Sequence, residues 1–158
     1  MAMRPTLIQV LVCCESDRWN LETDRISDAV RRIANDYGYD SGEISVAVLD
    51  DVEIREVNAK HLGHDYETDV ISFPFETEGR IDGEILVSFE TATRCAVEHG
   101  WRSEDELLLY VIHGMLHLCG LGDLDPESAE EMRAEERHYL NVFGVPQAEQ
   151  HGFPFEPH

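Results

Sequence analysis

Two histidines four residues apart, followed by a carboxylate, form the group in this sequence best suited to hold a metal ion. On a helix, His113 and His117 lie one turn apart on the same face. Both imidazoles can therefore reach one ion at about 2.0–2.1 Å. Gly120 permits a sharp reversal that brings Asp123 back to the open side of that ion. Two imidazoles and one carboxylate leave a tetrahedral position for water, which is typical of a catalytic zinc site.

The histidine pair also has a purely structural interpretation. With 8 histidines among 158 residues, one pair at this spacing arises easily by chance, and two hydrogen-bonded core histidines would give the same pattern. The metal site is favoured because the pair follows the apolar stretch 107–112, where an imidazole without a partner is expensive to bury. Cys119 lies two residues past His117, on another face of the helix, and is predicted to be a buried apolar residue.

The residue after the first histidine distinguishes this pattern from that of metallopeptidases. The metallopeptidase helix carries glutamate there as general base, whereas this sequence has Gly114. A peptidase is therefore disfavoured and ranks below the two functions considered further on. A glycine inside a helix predicts close approach by a strand or by substrate. Zinc lowers the pKa of bound water to about 7, so the spacing predicts a hydrolase without naming its substrate. The same donors suit non-haem iron, and iron or another divalent metal is the alternative to zinc.

Hydrophobic periodicity predicts the elements that position these residues. Apolar and β-branched runs predict four strands, at 7–12, 44–49, 70–75 and 81–89. Capping residues and glycines predict five helices, at about 25–37, 50–62, 91–99, 103–119 and 126–143. The length predicts one domain, 1–146, followed by a loosely ordered tail, 147–158.

Several side chains are predicted to cap these helices. The expected N-terminal signals are Asp24, Asp50 or Asp51, Ser103 with Glu106 as a capping box, and Asp125 followed by Pro126.

The amino-acid composition bears on the cellular compartment of the protein and on the partners that it can bind. The net charge is −21, and Lys60 is the only lysine among 12 basic residues. RNA-binding proteins usually present a basic face, so composition alone argues against nucleic acid as a partner. Such acidity suits a salt-rich cytoplasm that screens self-repulsion, and we hypothesise a halophilic host. No apolar run approaches the roughly 18 residues of a membrane span, and four cysteines without a CxxC pair fit a reducing cytoplasm.

Three ordered motifs carry a family resemblance. HGMLHLCG at 113–120 resembles the signature of the YbeY-type rRNA maturation factors. TDVISFP at 68–74 and GEILVS at 83–88 resemble two strands of that family, and Asn58 matches an asparagine upstream of the first. The resemblance spans 45–140. It implies a single α+β domain with a roughly four-stranded mixed sheet, about five helices, and a zincin-like metal helix whose site opens onto a cleft beside the sheet.

The resemblance also implies an activity. Members of this family are zinc-dependent endoribonucleases specific for single strands, which act in small-subunit rRNA 3′-end processing and in ribosome quality control. The expected partners are rRNA and the small ribosomal subunit, without DNA or membrane, and ribosomal-protein or GTPase partners are left open. His113 and His117 are the expected catalytic residues, acting through the metal.

Two positions depart from the family pattern. The third metal ligand is usually a histidine, but this sequence has Asp123, whose oxygen binds zinc at a similar distance. Where the family commonly has an arginine important for RNA cleavage, this sequence has Leu62. Lys60 and His64 are the candidate phosphate contacts in its place. The alternatives are a solvated lysine at a helix end and a histidine that caps the last turn.

Other carboxylates carry weaker predictions. Asp69 is expected either to orient a ligand histidine or to bond the backbone of its own turn. The acidic residues of the last helix are predicted to form a solvated face: Glu127, Glu130, Glu131, Glu135 and Glu136. Leu62 and the charge of −21 also motivate an alternative function, a non-catalytic ribosome assembly factor braced by its metal.

Overall fold

The computed structural model describes residues 7–14, 19, 21–62, 69–75, 77–122 and 124–146. Within these ranges the strands are β1 (Leu7–Cys14), β2 (Ser41–Leu49), β3 (Val70–Phe75) and β4 (Ile81–Ser88). The helices are α1 (Thr23–Asp36), α2 (Asp51–Leu62), α3 (Phe89–His99), α4 (Ser103–Leu118) and α5 (Pro126–Val142). The predicted α+β class, with four strands and five helices, is confirmed for the part of the chain described.

The sheet is mixed, as predicted, with strand order β1-β2-β4-β3. β1, β2 and β4 run parallel, whereas β3 runs antiparallel to β4, with Val70 opposite Val87 and Phe75 opposite Asp82. β3 is therefore an antiparallel edge strand on an otherwise parallel sheet.

α4, which carries the histidine pair, is also the central helix of the part of the chain described. Every residue of α4 from 105 to 116 is buried, and the helix packs against α1, α3, α5, β3 and β4. A helix that is apolar on all sides is stable only when other elements surround it, and the apolar stretch 107–112 supplies that surface. The two histidines thus stand at the end of the most enclosed element of the fold.

α2 packs on the opposite face of the sheet from α4. Ile54 of α2 forms a small apolar cluster with Ile71 of β3 and Leu86 of β4. Since successive strand residues point to opposite faces, the neighbouring Val70 and Ile85 face α4 instead.

Two helix caps occur as predicted. Oδ1 of Asp50 accepts a 2.8 Å hydrogen bond from the Glu53 N–H, while Oε1 of Glu53 accepts one of 3.2 Å from the Asp50 N–H. This reciprocal pair is a capping box at the start of α2. Asp125 caps α5 through the Ser128 N–H at 2.9 Å, with Pro126 in the first turn.

The other two predicted caps are wrong. α1 begins at Thr23, so Asp24 lies inside the first turn. α4 begins at Ser103 itself, with Arg102 at the capping position. Buried Glu106 hydrogen-bonds Nδ1 of His99 at 2.9 Å, because packing of α3 against α4 outweighs the local capping pattern.

Two further expectations concern membrane-spanning helices and the C-terminal tail. No helix in the described ranges is long and apolar enough to cross a bilayer. The predicted loose tail, 147–158, lies outside the described residues.

Candidate metal centre

The two predicted histidines meet through their ring nitrogens. Nε2 of His113 and Nε2 of His117 lie 3.1 Å apart, with the ring planes at 82°. Two ligands of one tetrahedral zinc ion, each at about 2.0–2.1 Å, would place their nitrogens about 3.3 Å apart. The helical spacing therefore brings both donors to the separation that a shared ion requires. His113 is 2% exposed, while His117 is half-buried and nearer the surface.

The chain reverses after α4 as predicted. Gly120 has φ of 103°, a left-handed conformation that favours glycine. The Leu121 N–H donates to the Leu116 carbonyl at 3.0 Å, and the Gly120 N–H donates to the His117 carbonyl at 2.9 Å. These bonds end the helix and turn the chain back.

The third ligand stays a prediction. Asp123 lies outside the described residues, and the described ranges contain no group of three metal-binding side chains. His64, the predicted phosphate contact, also lies outside those ranges.

Gly114 permits close packing between α4 and the sheet. A Cβ at this position would lie 2.8 Å from Cγ2 of Ile85 and 3.2 Å from Cγ2 of Val70. The predicted close approach is confirmed, and the neighbour is a pair of strands, β3 and β4. Glycine thus sets the distance between the histidines and the edge of the sheet.

A carboxylate from α5 contacts the first histidine. Oε2 of Glu136 lies 2.6 Å from Nδ1 of His113, and the Glu136 side chain is completely buried. The predicted solvated face is wrong for this residue. A signal was present in the sequence, because Glu136 falls at helical spacing among the buried residues of α5: Ala129, Met132, Tyr139 and Leu140.

Three of the other residues weighed as candidates lie within the described ranges. Oδ1 of Asp69 accepts a 2.8 Å hydrogen bond from the Val70 N–H, which matches the local alternative left open for it. Lys60 is exposed on α2, on the opposite face of the sheet from α4. Burial raises the pKa of the Cys119 thiol to about 12, and its side chain packs against the core, although it is half-buried and not fully buried as predicted.

Comparisons with known proteins agree over most of the chain. A family model described as endoribonuclease YbeY matches residues 12–144. Endoribonuclease YbeY of Rhodopirellula baltica is 42% identical over 136 residues, which cover 84% of this chain and 68% of that protein. The Bacteroides thetaiotaomicron protein of the same name is 38% identical over 111 residues, 70% of this chain and 81% of that protein.

A solved structure shares the fold. The solution structure of TM1509 from Thermotoga maritima aligns with a TM-score of 0.61 and 27% sequence identity. The alignment covers 86% of this chain and 88% of that one.

Proposed function

The chain belongs to the endoribonuclease YbeY family, and from this membership we propose that it cleaves single-stranded rRNA with the help of one bound metal ion. The family model matches residues 12–144, a range that includes the motif at 113–120, so the predicted family is confirmed. Endoribonucleases are hydrolases that cut internal phosphodiester bonds. The proposed substrate is the 3′ region of the small-subunit rRNA, the proposed partner is the small ribosomal subunit, and ribosome quality control is the proposed wider role.

The convergence of His113 and His117 supports this proposal most directly. Their Nε2 atoms lie 3.1 Å apart at the end of a buried helix. We assign the zinc ligands as these two histidines and Asp123, with iron as the alternative metal. Zinc held there would supply Lewis acidity, which lowers the pKa of water and polarises a phosphoryl oxygen.

The protein itself prepares the donors. Oε2 of Glu136 lies 2.6 Å from Nδ1 of His113, while Nε2 of the same ring faces His117. Apolar neighbours exclude water from His113, while the more exposed His117 borders the surface from which a phosphodiester would approach. The site is thus closed toward the core and open on one side.

RNA recognition must overcome the charge of the protein. At −21 the chain repels a polyanion at long range, but salt of about 1 M reduces the screening length to about 3 Å. Short-range contacts then determine binding, with Lys60 and His64 as the proposed phosphate contacts in place of the absent arginine. Since α2 lies on the opposite face of the sheet from α4, Lys60 would contact the RNA strand away from the histidine pair.

Cleavage of a single-stranded rRNA fragment in high salt tests the function. The wild type should cut the fragment, a chelator should stop it, and added zinc should restore it. His117→Ala should lose at least about 100-fold in rate because a donor is removed. His138→Ala is the matched control, since His138 is exposed on α5, and it should cleave like the wild type.

The opposite outcome selects the alternative function. If folded, metal-loaded wild type left RNA intact but bound the small subunit, the assembly factor would be favoured. The substitution of Leu62 for the usual arginine is the observation that motivates this alternative. Cleavage of a peptide in the same assay would point instead to the metallopeptidase.

A further inference from the structure

Glu136 is a buried carboxylate that contacts a candidate metal ligand. Its side chain is completely buried, and Oε2 lies 2.6 Å from Nδ1 of His113, 23 residues away in the chain. We propose that Glu136 is a positioning residue, which holds His113 in the Nδ1–H tautomer and fixes the orientation of its ring.

The chemistry of a carboxylate explains why one tautomer would be selected. An ionised carboxylate only accepts hydrogen bonds, so the ring nitrogen facing it must carry the proton. Nε2 of His113 is then unprotonated on the side that faces His117. An amide in the same place offers both a donor and an acceptor and would admit either tautomer.

Two hydrogen bonds next to Glu136 hold α5 against the end of α1. The Tyr37 hydroxyl donates to Glu135 at 2.7 Å, and the Tyr139 hydroxyl donates to Asp36 at 2.8 Å. Glu135 and Tyr139 lie one residue before and three residues after Glu136. These bonds restrict rotation of α5 about its axis, so the carboxylate is directed at the imidazole by two helices.

The positioning role rests on the proposed function only in treating His113 as a metal ligand. A buried glutamate that merely stabilised the fold would contribute to the free energy of unfolding without determining which ring nitrogen is protonated. The tautomer of His113 in metal-free protein therefore separates the two roles, and it is measured without RNA.

The test compares wild type with Glu136→Gln, a substitution of nearly equal size. Glu131→Gln is the matched control, because Glu131 is an exposed carboxylate on the same helix. Long-range ¹H–¹⁵N correlation spectra report which His113 ring nitrogen carries the proton. Competition with a chromophoric chelator reports zinc affinity. Wild type and control should give the Nδ1–H tautomer, while Glu136→Gln should gain Nε2–H tautomer and bind zinc at least about 10-fold more weakly.

Two outcomes would overturn the role. One is a folded Glu136→Gln protein with the wild-type tautomer and unchanged zinc affinity. The other is a wild-type spectrum in which Nε2 of His113 carries the proton, which decides the matter even if the variant does not fold. Failure of RNA cleavage alone would count against the proposed function and leave the tautomer result standing.

Discussion

At the scale of single residues, the two ring nitrogens of His113 have different partners. Nδ1 contacts the buried carboxylate of Glu136 at 2.6 Å, and Nε2 faces the second histidine at 3.1 Å. Nδ1 is therefore held by the protein, while Nε2 is directed to the position that a metal ion would occupy. This arrangement is common for metal-binding histidines, whose outer nitrogen usually bonds a carboxylate or carbonyl.

Asp123 can be tested by restoring the donor that the family usually has. Asp123→His should still bind one zinc per chain, because imidazole and carboxylate bind zinc at similar distances of about 2.0–2.2 Å. Asp123→Ala should weaken zinc binding by at least about 10-fold, measured by calorimetry and elemental analysis. Asp28→Ala, an exposed aspartate on α1, is the control. Wild-type affinity in Asp123→Ala would remove Asp123 from the ligand set.

Gly114→Ala should destabilise the protein although alanine favours helices. The added Cβ would meet buried Ile85 at 2.8 Å, and overpacking costs about 1–3 kcal/mol against about 1 kcal/mol of gained helix propensity. Urea unfolding should show a net loss of up to about 2 kcal/mol. Gly122→Ala, where a Cβ meets open space, should change stability by less than about 0.5 kcal/mol. Equal effects of the two substitutions would contradict the tight packing of α4 on the sheet.

At the scale of elements, Asp51 joins α2 to the junction between β4 and α3. Its carboxylate accepts hydrogen bonds from Ser88 at 2.6 Å, Thr91 at 2.8 Å and Arg94 at 2.6 Å. Burial by itself raises the pKa of Asp51, but these hydrogen bonds and the charge of Arg94 outweigh it, and the pKa lies below the ordinary value of 3.8. The ionised form is therefore favoured by folding.

Asp51→Asn should make stability less dependent on pH. A depressed pKa contributes stability that is present above the ordinary value of 3.8 and is lost as the pH falls through the lower value of the folded state. At about pH 7 the variant should be less stable by about 1–3 kcal/mol, since hydrogen bonds to a charged group are lost. Urea unfolding from about pH 7 down to about pH 3 should show the difference shrinking. A difference in stability that did not change with pH would contradict this role of Asp51. Glu56→Gln is the control, because Glu56 is an exposed residue of α2.

At the scale of the whole molecule, the net negative charge is the main influence on how stability depends on salt. A net charge of −21 on 158 residues opposes compaction through self-repulsion, and salt screens that repulsion over about 10 Å at 0.1 M and about 3 Å at 1 M. The thermal unfolding midpoint should therefore rise as KCl increases toward about 1 M. Near the sequence pI of about 4.5 the net charge is small, and this salt effect should diminish. An unchanged midpoint at neutral pH would count against the halophilic host.

Local patterns in the sequence were sufficient to predict the helices and strands, and to predict the histidine pair of the candidate site. Strand and helix periodicity predicted the four strands and five helices, because side-chain alternation and helical spacing are properties of short segments. The pairing of His113 with His117 follows from one turn of helix, and the reversal at Gly120 follows from its left-handed φ. The pair and the reversal each depend on about five neighbouring residues.

Contacts between distant segments were decided only by the tertiary structure. Glu136 reaches His113 because α5 packs beside α4, and Glu106 turns from its predicted cap to His99 because α3 packs there too. A local pattern states which face of a helix is apolar but not which element covers it. Packing of whole helices against the sheet therefore determined which carboxylate orients the histidine, while the sequence alone had already determined which histidines form the pair.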